Sequence, residues 1–376
     1  MPRVLIAFEP PDGGVAENAM RLGLGLREHG WDPWVAGPEE AIVFPPLEEA
    51  AVPIARLPFV RGYGRPGTDA RALRRLTGIL RRGDFDLLHV HSAKAGVLGR
   101  IAGPITGTPV IYSPHSFPFV GEFGTPRRLF ATGVEKLLGP ATDTILCVAD
   151  FERRLALEKG IVPDERLAVV HNGCAPCETH VPPDPDLAAF AAEGPLAAAI
   201  AVLRPQKSVD VFVDAAPLIL AQVPEARLAV VGNGYQREEL EERARRLEIG
   251  PRLRFFDFVP PAARQLASVE VFVLPSAWEA FPIAILEAMA CGVPQVATDV
   301  GGTGEATLDG ETGFLCPPHD PPALAEQVVK LLRDPNLREL MGQAARARHE
   351  REFRLDAMVA KTAALYDRVL ARARRA

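Results

Sequence analysis

Two carboxylates, Glu279 and Glu287, interrupt a stretch that is otherwise almost wholly apolar between Trp278 and Pro294. A polar group buried without a partner costs about 2 to 7 kcal/mol, so each carboxylate should meet something that donates to it. A carboxylate accepts hydrogen bonds only and can take two hydroxyl donors, which suits the cis-diol of a ribose at Glu287. Glu279 lies nearer the start of the helix predicted here and could meet a group being transferred. The alternative is a solvated Glu279 and a Glu287 that pairs with a basic residue elsewhere.

The same stretch predicts a helix whose first turn can bind an anion. Pro282 is suited to the first helical position, and Gly292 to the position just after the last turn. The backbone N–H groups of Ile283 and Ala284 would then point out of the helix start, where a phosphate binds well. Acceptors for hydroxyl groups and donors for a phosphate therefore occur together.

A basic pair, Arg204 and Lys207, follows an apolar run that predicts a buried strand at 197–203. A helix is expected from about Ser208, so both cations lie beside a helix start. Such a pair suits a diphosphate, because it neutralises the charge and arginine can bind two oxygens at once. The alternative is a solvated turn.

Gly13 and Gly14 separate the first predicted strand from an amphipathic helix. Two glycines let backbone N–H groups approach a ligand closely, and the helix start adds partial positive charge. The pattern does not match G-x-G-x-x-G, which argues against a nicotinamide cofactor. A tight turn without a ligand is the alternative.

His91 and His115 end two predicted strands and could face the same cleft. His115 could donate to a substrate hydroxyl or take part in proton transfer. A metal site would need a third ligand nearby, and the sequence offers no obvious one, so no metal is expected. The alternative is that both histidines are structural.

The elements that position these residues are short apolar strands alternating with helices, the pattern of parallel sheets buried on both faces. Expected strands cover 4–8, 86–92, 109–113, 144–149 and 167–173, then 197–203, 226–232, 253–259, 269–276 and 294–300. A proline-rich stretch near 176–185 predicts a stiff linker. We therefore expect two doubly wound α/β domains, at 1–178 and 179–354, with a terminal helix at about 355–376 returning to the first.

Composition limits the class of protein. The chain has 376 residues, a formal net charge of -6 and 24% charged residues, which argues against a nucleic-acid partner. There is no apolar leader and no run of 18 or more apolar residues, so we expect a cytoplasmic protein. Five scattered cysteines fit a reducing compartment, with the CAPC stretch at 174–177 as an incidental loop. Eight arginines between Arg56 and Arg82 predict either a solvated crossover helix or peripheral contact with an anionic membrane.

Taken together, the motifs resemble those of the retaining, metal-independent GT-B glycosyltransferases of the large group 1 family. The resemblance spans nearly the whole chain and is carried by SAWEAFPIAILEAMACGVPQVATDVGG, DGETGFL, VVGNGYQREEL, LRPQKSVD, HVHSAKAGVLGR and PVIYSPHSF. It implies two Rossmann-like domains that face a central cleft. The second would hold a nucleotide sugar, with a UDP-sugar favoured, and the first an acceptor glycan, lipid-linked sugar or small molecule. No cofactor is implied.

The resemblance also assigns roles to residues. Glu287 would bind the ribose, Lys207 the diphosphate, and Glu279 with the loop at 281–283 would lie against the donor sugar and phosphates. Gly14 would meet the phosphate, and His115 the sugar hydroxyls. The expected catalytic residues are thus Lys207, Glu279 and His115. Donor-binding residues are Gly13, Gly14, Arg204, Lys207, Phe281, Pro282, Ile283 and Glu287.

Three positions depart from the family pattern. Val202 stands where an arginine is usual, and Ser208 and Ala280 stand where glycines are usual. These changes put donor affinity and donor choice in question. Competing interpretations are a nucleotide-sugar epimerase of the same architecture, a glycoside hydrolase using the paired glutamates, and a sugar-binding protein without catalysis.

Overall fold

A computed structural model describes residues 1–60, 62 and 65–375, and these form two compact units. Unit 1 comprises Met1–Asn172 with Leu355–Ala376, and unit 2 comprises Gly173–Arg354. The division therefore falls after residue 172, whereas the linker prolines predicted it after 178. The terminal segment belongs to unit 1.

Unit 1 is built on a seven-stranded sheet in which every strand pair is parallel. The strands are β1 (Arg3–Phe8), β2 (Asp32–Pro38), β3 (Ile54–Leu57), β4 (Leu87–His91), β5 (Val110–Ser113), β6 (Thr144–Cys147) and β7 (Leu167–Val169). The strand order is β3-β2-β1-β4-β5-β6-β7. The chain therefore adds strands on one side of β1 up to β3 and on its other side from β4 onward, so the order reverses between β1 and β4. The helices are α1 (Gly13–Gly25), α2 (Phe44–Glu49), α3 (Pro66–Gly83), α4 (Ala93–Thr106), α5 (Thr125–Leu138) and α6 (Asp150–Lys159).

Unit 2 repeats this architecture with a six-stranded parallel sheet. Its helices before the last strand are α7 (Pro185–Ala191), α8 (Val209–Gln222), α9 (Arg237–Arg246), α10 (Ala263–Leu266), α11 (Ile283–Ala290) and α12 (Thr303–Ala306). The strands are β8 (Leu196–Ile200), β9 (Arg227–Val231), β10 (Leu253–Phe256), β11 (Val271–Leu274), β12 (Gln295–Thr298) and β13 (Gly313–Cys316). Two long helices follow, α13 (Pro321–Arg333) and α14 (Pro335–Glu352). The order β10-β9-β8-β11-β12-β13 reverses between β8 and β11.

The expected fold class is therefore confirmed: both units are doubly wound, Rossmann-like α/β domains. Continuous apolar runs made ten strands recognisable, because strands buried on both faces need no polar alternation. Strands β2, β3 and β13 were not predicted. Pro33 and Pro38 lie within β2, which nevertheless pairs with β1 and β3. Both prolines are near the strand's ends, where fewer ladder hydrogen bonds are lost.

The last helix, α15 (Leu355–Ala373), packs on unit 1. Its Tyr366 hydroxyl lies 2.6 Å from Nδ1 of His89 on β4, and its ring meets Trp31 edge-on at 5.2 Å between centroids. Tyr366 and Trp31 are both fully buried. The terminal helix thus completes the core of the first unit.

The scattered cysteines favoured a reducing compartment over a disulfide framework, but the structure contains a disulfide. Cys177 forms a disulfide with Cys291, across 114 residues of sequence, with a Cα–Cα distance of 4.8 Å. Cys291 is the C-cap of α11, so the bond joins the segment that opens unit 2 to the end of that helix. Sequence spacing could not reveal it, because the partners approach only in the folded unit. Cys174 is a buried thiol outside this disulfide, and its Sγ lies 3.1 Å from Nε2 of His349.

Helix α3 carries the arginine-rich stretch. Its apolar side chains, including Leu76 and Leu80, are buried in unit 1, while its arginines lie on the exposed face. The basic face predicted for this stretch is therefore present on α3. Arg61, which the predicted stretch also included, lies outside the described residues. Among the described helices none is both long enough and apolar enough to cross a membrane.

Candidate active site

In unit 2 the two neighbouring strands at which the order reverses deliver the predicted basic pair and acidic loop to one place. β8 leads into the segment 201–208, and β11 leads into the segment 275–282. Ligands of open parallel sheets bind at the carboxyl ends of the strands, at such a reversal. The strand order therefore brings Lys207 and Glu279 together although 72 positions separate them.

Lys207 and Glu279 form an ion pair. The Lys207 ammonium donates to Oε1 of Glu279 at 2.5 Å, and the Glu279 residue is only 5% exposed. The Ser276 hydroxyl donates to the same oxygen at 2.7 Å. Glu279 is thus a buried carboxylate with partners, which answers the question that its place in an apolar stretch raised and contradicts the solvated alternative.

Residues from two further segments hold this carboxylate loop. The Thr298 hydroxyl, at the end of β12, donates to the Ser276 carbonyl at 2.6 Å. Gly301 adopts φ +56°, and a Cβ there would lie 1.8 Å from the Glu279 carbonyl oxygen, so only glycine fits. The sequence analysis assigned no role to Ser276, Thr298 or Gly301. The DVGG stretch signals the glycine, but the hydroxyl contacts depend on tertiary packing.

The loop that carries Lys207 is a short 3-10 turn, Pro205–Lys207, which ends at Ser208. Ser208 has φ +43° and ψ 44°, a left-handed conformation that favours glycine. This explains why glycine is usual at that position in the family pattern. Gln206 joins the two loops: its side-chain amide donates to the Trp278 carbonyl at 3.0 Å, and its carbonyl accepts from the Ala277 N–H at 2.8 Å.

Helix α11 begins at Ile283, so Pro282 is its N-cap and not its first helical residue as predicted. Pro282 gives no side-chain cap, and the first turn, wholly within the described residues, contains no acidic residue. Its N–H groups are therefore suited to an external anion. Phe281 is buried, with its ring 5.4 Å from that of Phe353. Gly292 lies just past the helix with φ +70°, as predicted.

The side chains of Glu287 and Arg204 are both partly exposed to solvent. Glu287 is partly exposed on α11, whereas its neighbours Leu286 and Ala288 are buried. Arg204 is partly buried, and Val202 is 38% exposed. Glu287 thus remains partly accessible on the helix that begins shortly after Glu279 in the sequence.

Exposed apolar side chains follow the carboxyl ends of β9 and β10. The sequence analysis had not identified these side chains as part of a site. Tyr235 is 79% exposed, and Phe258 and Val259 are 40% and 39% exposed. Exposed apolar residues at this edge of a parallel sheet are suited to a flat, partly apolar group such as a nucleobase.

In unit 1 the glycine pair lies at the start of α1. Gly13 has φ +73°, which favours glycine, and Gly14 is exposed. The N-cap, Asp12, makes no side-chain cap hydrogen bond, and no acidic residue stands in the described first turn. This helix start is also suited to an anion.

The histidines of unit 1 lie in a cluster at the ends of β4 and β5. Nδ1 of His91 is 2.8 Å from Nε2 of His115, and the His89 and His91 ring centroids are 3.9 Å apart. Burial lowers the pKa of His115 from 6.5 to about 4. Burial, with a smaller effect of the neighbouring histidines, holds the pKa values of His89 and His91 well below 6.5. All three rings are therefore neutral at pH 7.

Glu152 holds the loop on which His115 lies, another role that sequence reasoning missed. The backbone of His115 and Ser116 is left-handed, with φ +49° and +81°. The Glu152 carboxylate accepts from the Ser116 N–H at 2.6 Å and from the Val148 N–H at 2.8 Å. This buried carboxylate fixes the unusual backbone conformation next to His115.

Within the described part of the chain, no group of three or more His, Cys, Asp or Glu residues is arranged to hold a metal ion.

Comparison with known proteins defines the class. The glycosyl transferases group 1 family matches residues 187–348, and the glycosyl transferase 4-like domain matches residues 13–173. A D-inositol 3-phosphate glycosyltransferase of Streptomyces avermitilis is 33% identical over 314 residues, which are 76% of this chain and 66% of that protein. The chain belongs to the group 1 glycosyltransferases and is a transferase enzyme.

Two further proteins are similar. A UDP-Gal:alpha-D-GlcNAc-diphosphoundecaprenol alpha-1,3-galactosyltransferase of Escherichia coli is 25% identical over 307 residues, 79% of each chain. The crystal structure of Anabaena HepE in complex with UDP and glucose superposes with a TM-score of 0.83 at 21% identity, covering 98% of this chain and 100% of that one. The latter similarity establishes the GT-B fold.

Proposed function

We propose that this glycosyltransferase moves a sugar from a UDP-sugar to an acceptor hydroxyl, with retention of anomeric configuration, in the synthesis of a polysaccharide, glycolipid or other glycoconjugate. The observation that carries the proposal is the ion pair of Lys207 and buried Glu279 at the strand reversal of unit 2, beside the uncapped start of α11. A UDP-sugar is favoured because one similar protein is named for UDP-galactose and another was solved with UDP and glucose.

The donor would extend across the carboxyl edge of the unit 2 sheet. Lys207 and Arg204 would bind the diphosphate together with the N–H groups of α11, where Phe281, Pro282 and Ile283 form the approach. Glu287 would accept from the ribose hydroxyls. The nucleobase would lie toward β9 and β10, where Tyr235 and Phe258 are exposed.

In the proposed reaction, the bond between the anomeric carbon and the diphosphate oxygen breaks as the acceptor oxygen bonds to the same face of the sugar. Charge grows on the departing diphosphate, and Lys207 and the helix N–H groups stabilise it. The acceptor's proton passes to a phosphate oxygen of the leaving group. Glu279 lies against the sugar, where its charge would favour the cationic character of the transition state. In this proposal no metal or cofactor takes part.

Unit 1 would bind the acceptor, a glycan, lipid-linked sugar or small molecule. His115, with a pKa of about 4, is neutral at pH 7. It would therefore act as a hydrogen-bond partner for a sugar hydroxyl and not as a cation. Gly13 and Gly14, at the start of α1, would let backbone N–H groups approach an anionic group of a ligand.

A thermal-shift screen of UDP-, GDP-, ADP- and dTDP-sugars tests the donor, because a ligand at 100 times its Kd stabilises the fold by about 2.7 kcal/mol. We expect the midpoint temperature of unfolding to rise when a UDP-sugar is added. Product analysis with that donor then tests the reaction. A different nucleotide sugar formed without any acceptor would indicate an epimerase, and free sugar released faster than transfer would indicate a hydrolase. Donor binding without turnover on any acceptor would indicate a binding protein.

A further inference from the structure

Helix α5 of unit 1 exposes several large apolar side chains on its outer face. Leu129, Phe130 and Leu137 are 68%, 64% and 78% exposed. With about 100° of rotation per residue, these three and Gly133 fall within an arc of roughly 100°. We call this arc the α5 stripe. Exposed apolar residues are common singly, whereas a contiguous row on one helix indicates an interaction surface.

The opposite face of α5 fixes the orientation of the helix. Glu135 is fully buried and binds the buried Arg100 guanidinium through both carboxylate oxygens, at 2.8 and 3.1 Å. The Tyr112 hydroxyl donates to the same carboxylate at 3.2 Å. Rolling the α5 stripe inward would break this buried ion pair, which is strongly unfavourable. The exposure of the stripe is therefore a fixed property of unit 1.

Cations border the α5 stripe. On the helical wheel Lys136 stands at one edge and Arg127 beyond the other, and both are exposed, as is Arg128. The helix has one acidic residue, Glu135, which is the buried one. An apolar row between long basic side chains is the pattern of a helix that lies in the surface of an anionic membrane, with the cations reaching the lipid phosphates.

The arginine-rich helix α3 differs from α5 in this respect. Both helices pack on the same face of the sheet, since Leu76 of α3 and Ala131 of α5 belong to one core cluster. The apolar residues of α3 are already buried there. Helix α3 can therefore attract a charged surface but has no exposed apolar row to insert into it. Cations on both helices make this side of unit 1 complementary to a negative surface.

We propose that the α5 stripe is the docking surface for an anionic phospholipid bilayer, with Leu129, Phe130 and Leu137 inserted at the boundary of headgroups and acyl chains. Lys136 and Arg127 bind lipid phosphates on either side, and the arginines of α3 add long-range attraction. This inference stands on the surface of unit 1 alone and does not depend on the proposed donor or reaction.

The test is sedimentation of the full chain with vesicles of phosphatidylcholine and phosphatidylglycerol in about a 2 to 1 ratio. The stripe variant carries Leu129→Ser and Leu137→Ser. The matched control carries Ile42→Ser and Leu340→Ser, at positions 63% and 65% exposed outside the stripe. We expect the stripe variant to lose binding on the order of 10-fold or more, because insertion supplies most of the affinity. The control should bind as the wild type does.

Charge variants separate insertion from attraction. Arg127→Glu with Lys136→Glu should abolish the preference for vesicles containing phosphatidylglycerol. Arg81→Glu with Arg82→Glu on α3 should weaken binding less, and only at low salt. Unchanged thermal midpoints for all variants show that unit 1 remains folded.

Three outcomes overturn the proposal. The wild type could fail to bind either vesicle, or the stripe variant could bind as tightly as the control. Alternatively, the wild type could sediment as a dimer without lipid while the stripe variant sediments as a monomer. That last result would assign the α5 stripe to a second copy of the chain.

Discussion

Lys207 and Glu279 neutralise each other through their ion pair, and we propose that this pair receives the donor diphosphate. Glu279 is almost fully buried, so its charge requires a nearby cation. An incoming diphosphate would share that cation, while the N–H groups of α11 carry the remaining charge. In this proposal Lys207 stabilises the buried Glu279 and would also bind the donor diphosphate.

Lys207→Ala should reduce turnover on the order of 10²-fold or more, because it removes a cation from the developing charge. It should also destabilise unit 2 by up to about 3 to 5 kcal/mol, since Glu279 stays buried without its partner. Denaturant unfolding and steady-state kinetics measure the two effects.

The double variant, Lys207→Ala with Glu279→Gln, separates these roles. We expect its stability to return close to that of the wild type, because no uncompensated charge remains. Calorimetry should still show weak binding of UDP. A stable double variant that binds UDP as tightly as the wild type would remove Lys207 from the diphosphate site.

Glu152 positions His115 through the backbone and not through the ring. Glu152→Gln replaces one acceptor oxygen by an N–H donor that faces another N–H, either that of Ser116 or that of Val148. We expect kcat/KM to fall on the order of 10-fold as the His115 loop shifts. Glu158→Gln, an exposed position on the same helix, is the matched control. Equal kinetics for both variants would show that Glu152 does not position His115.

At the level of single residues, the sequence indicated the groups with chemistry but not those that hold them. Glu279, Lys207 and His115 are recognisable because each follows an apolar strand where polar residues need a reason. Ser276 and Glu152 are ordinary surface types in sequence. Their contacts arise only when separate loops meet, so no local pattern reveals them.

At the level of elements, the two parallel sheets were predictable, but the strands β2, β3 and β13 were not. Unbroken apolar runs such as that of β9 identify strands buried on both faces. The apolar runs of the other three strands are interrupted or shortened, by an arginine in β3, by the glycine that begins β13 and by prolines in β2, so their patterns are too weak. The carboxyl ends of the recognised strands were enough to locate the candidate site.

The disulfide between Cys177 and Cys291 ties the start of unit 2 to the end of α11. Replacing both residues by serine should lower the free energy of unfolding of unit 2 by about 2 to 4 kcal/mol, because the unfolded chain regains the freedom of a long loop. Hydrogen exchange with mass spectrometry would detect the change in peptides from α11.

Reduction of the wild type provides the control for the double serine variant. It should reproduce the loss of protection in α11 and leave unit 1 unchanged. Five reactive thiols in protein that is denatured without reductant would contradict the bond itself.

At the level of the whole molecule, the two units should respond differently to acid. The pKa of His115 is about 4 in the folded chain and near 6.5 when unfolded. The unfolded state therefore binds more protons in acid, so the stability is complete above about pH 6.5 and falls as the pH drops toward 4. His89 and His91 act in the same direction. Unit 1 should thus lose protection to hydrogen exchange in acid before unit 2.

His115→Asn isolates one contribution, because asparagine tolerates the left-handed backbone at this position. The slope of unfolding free energy against pH should decrease by up to about 1.4 kcal/mol per pH unit between pH 6.5 and 4. An unchanged slope would show that His115 is not the group that titrates.

A crystal structure of the chain with UDP would show whether the nucleotide sugar binds on unit 2 at the reversal between β8 and β11, as we propose. We expect the diphosphate within hydrogen-bond distance of Lys207 Nζ and of the N–H groups of Ile283 and Ala284, with the ribose hydroxyls on Glu287. A diphosphate bound away from Lys207 and from the start of α11 would contradict this proposal.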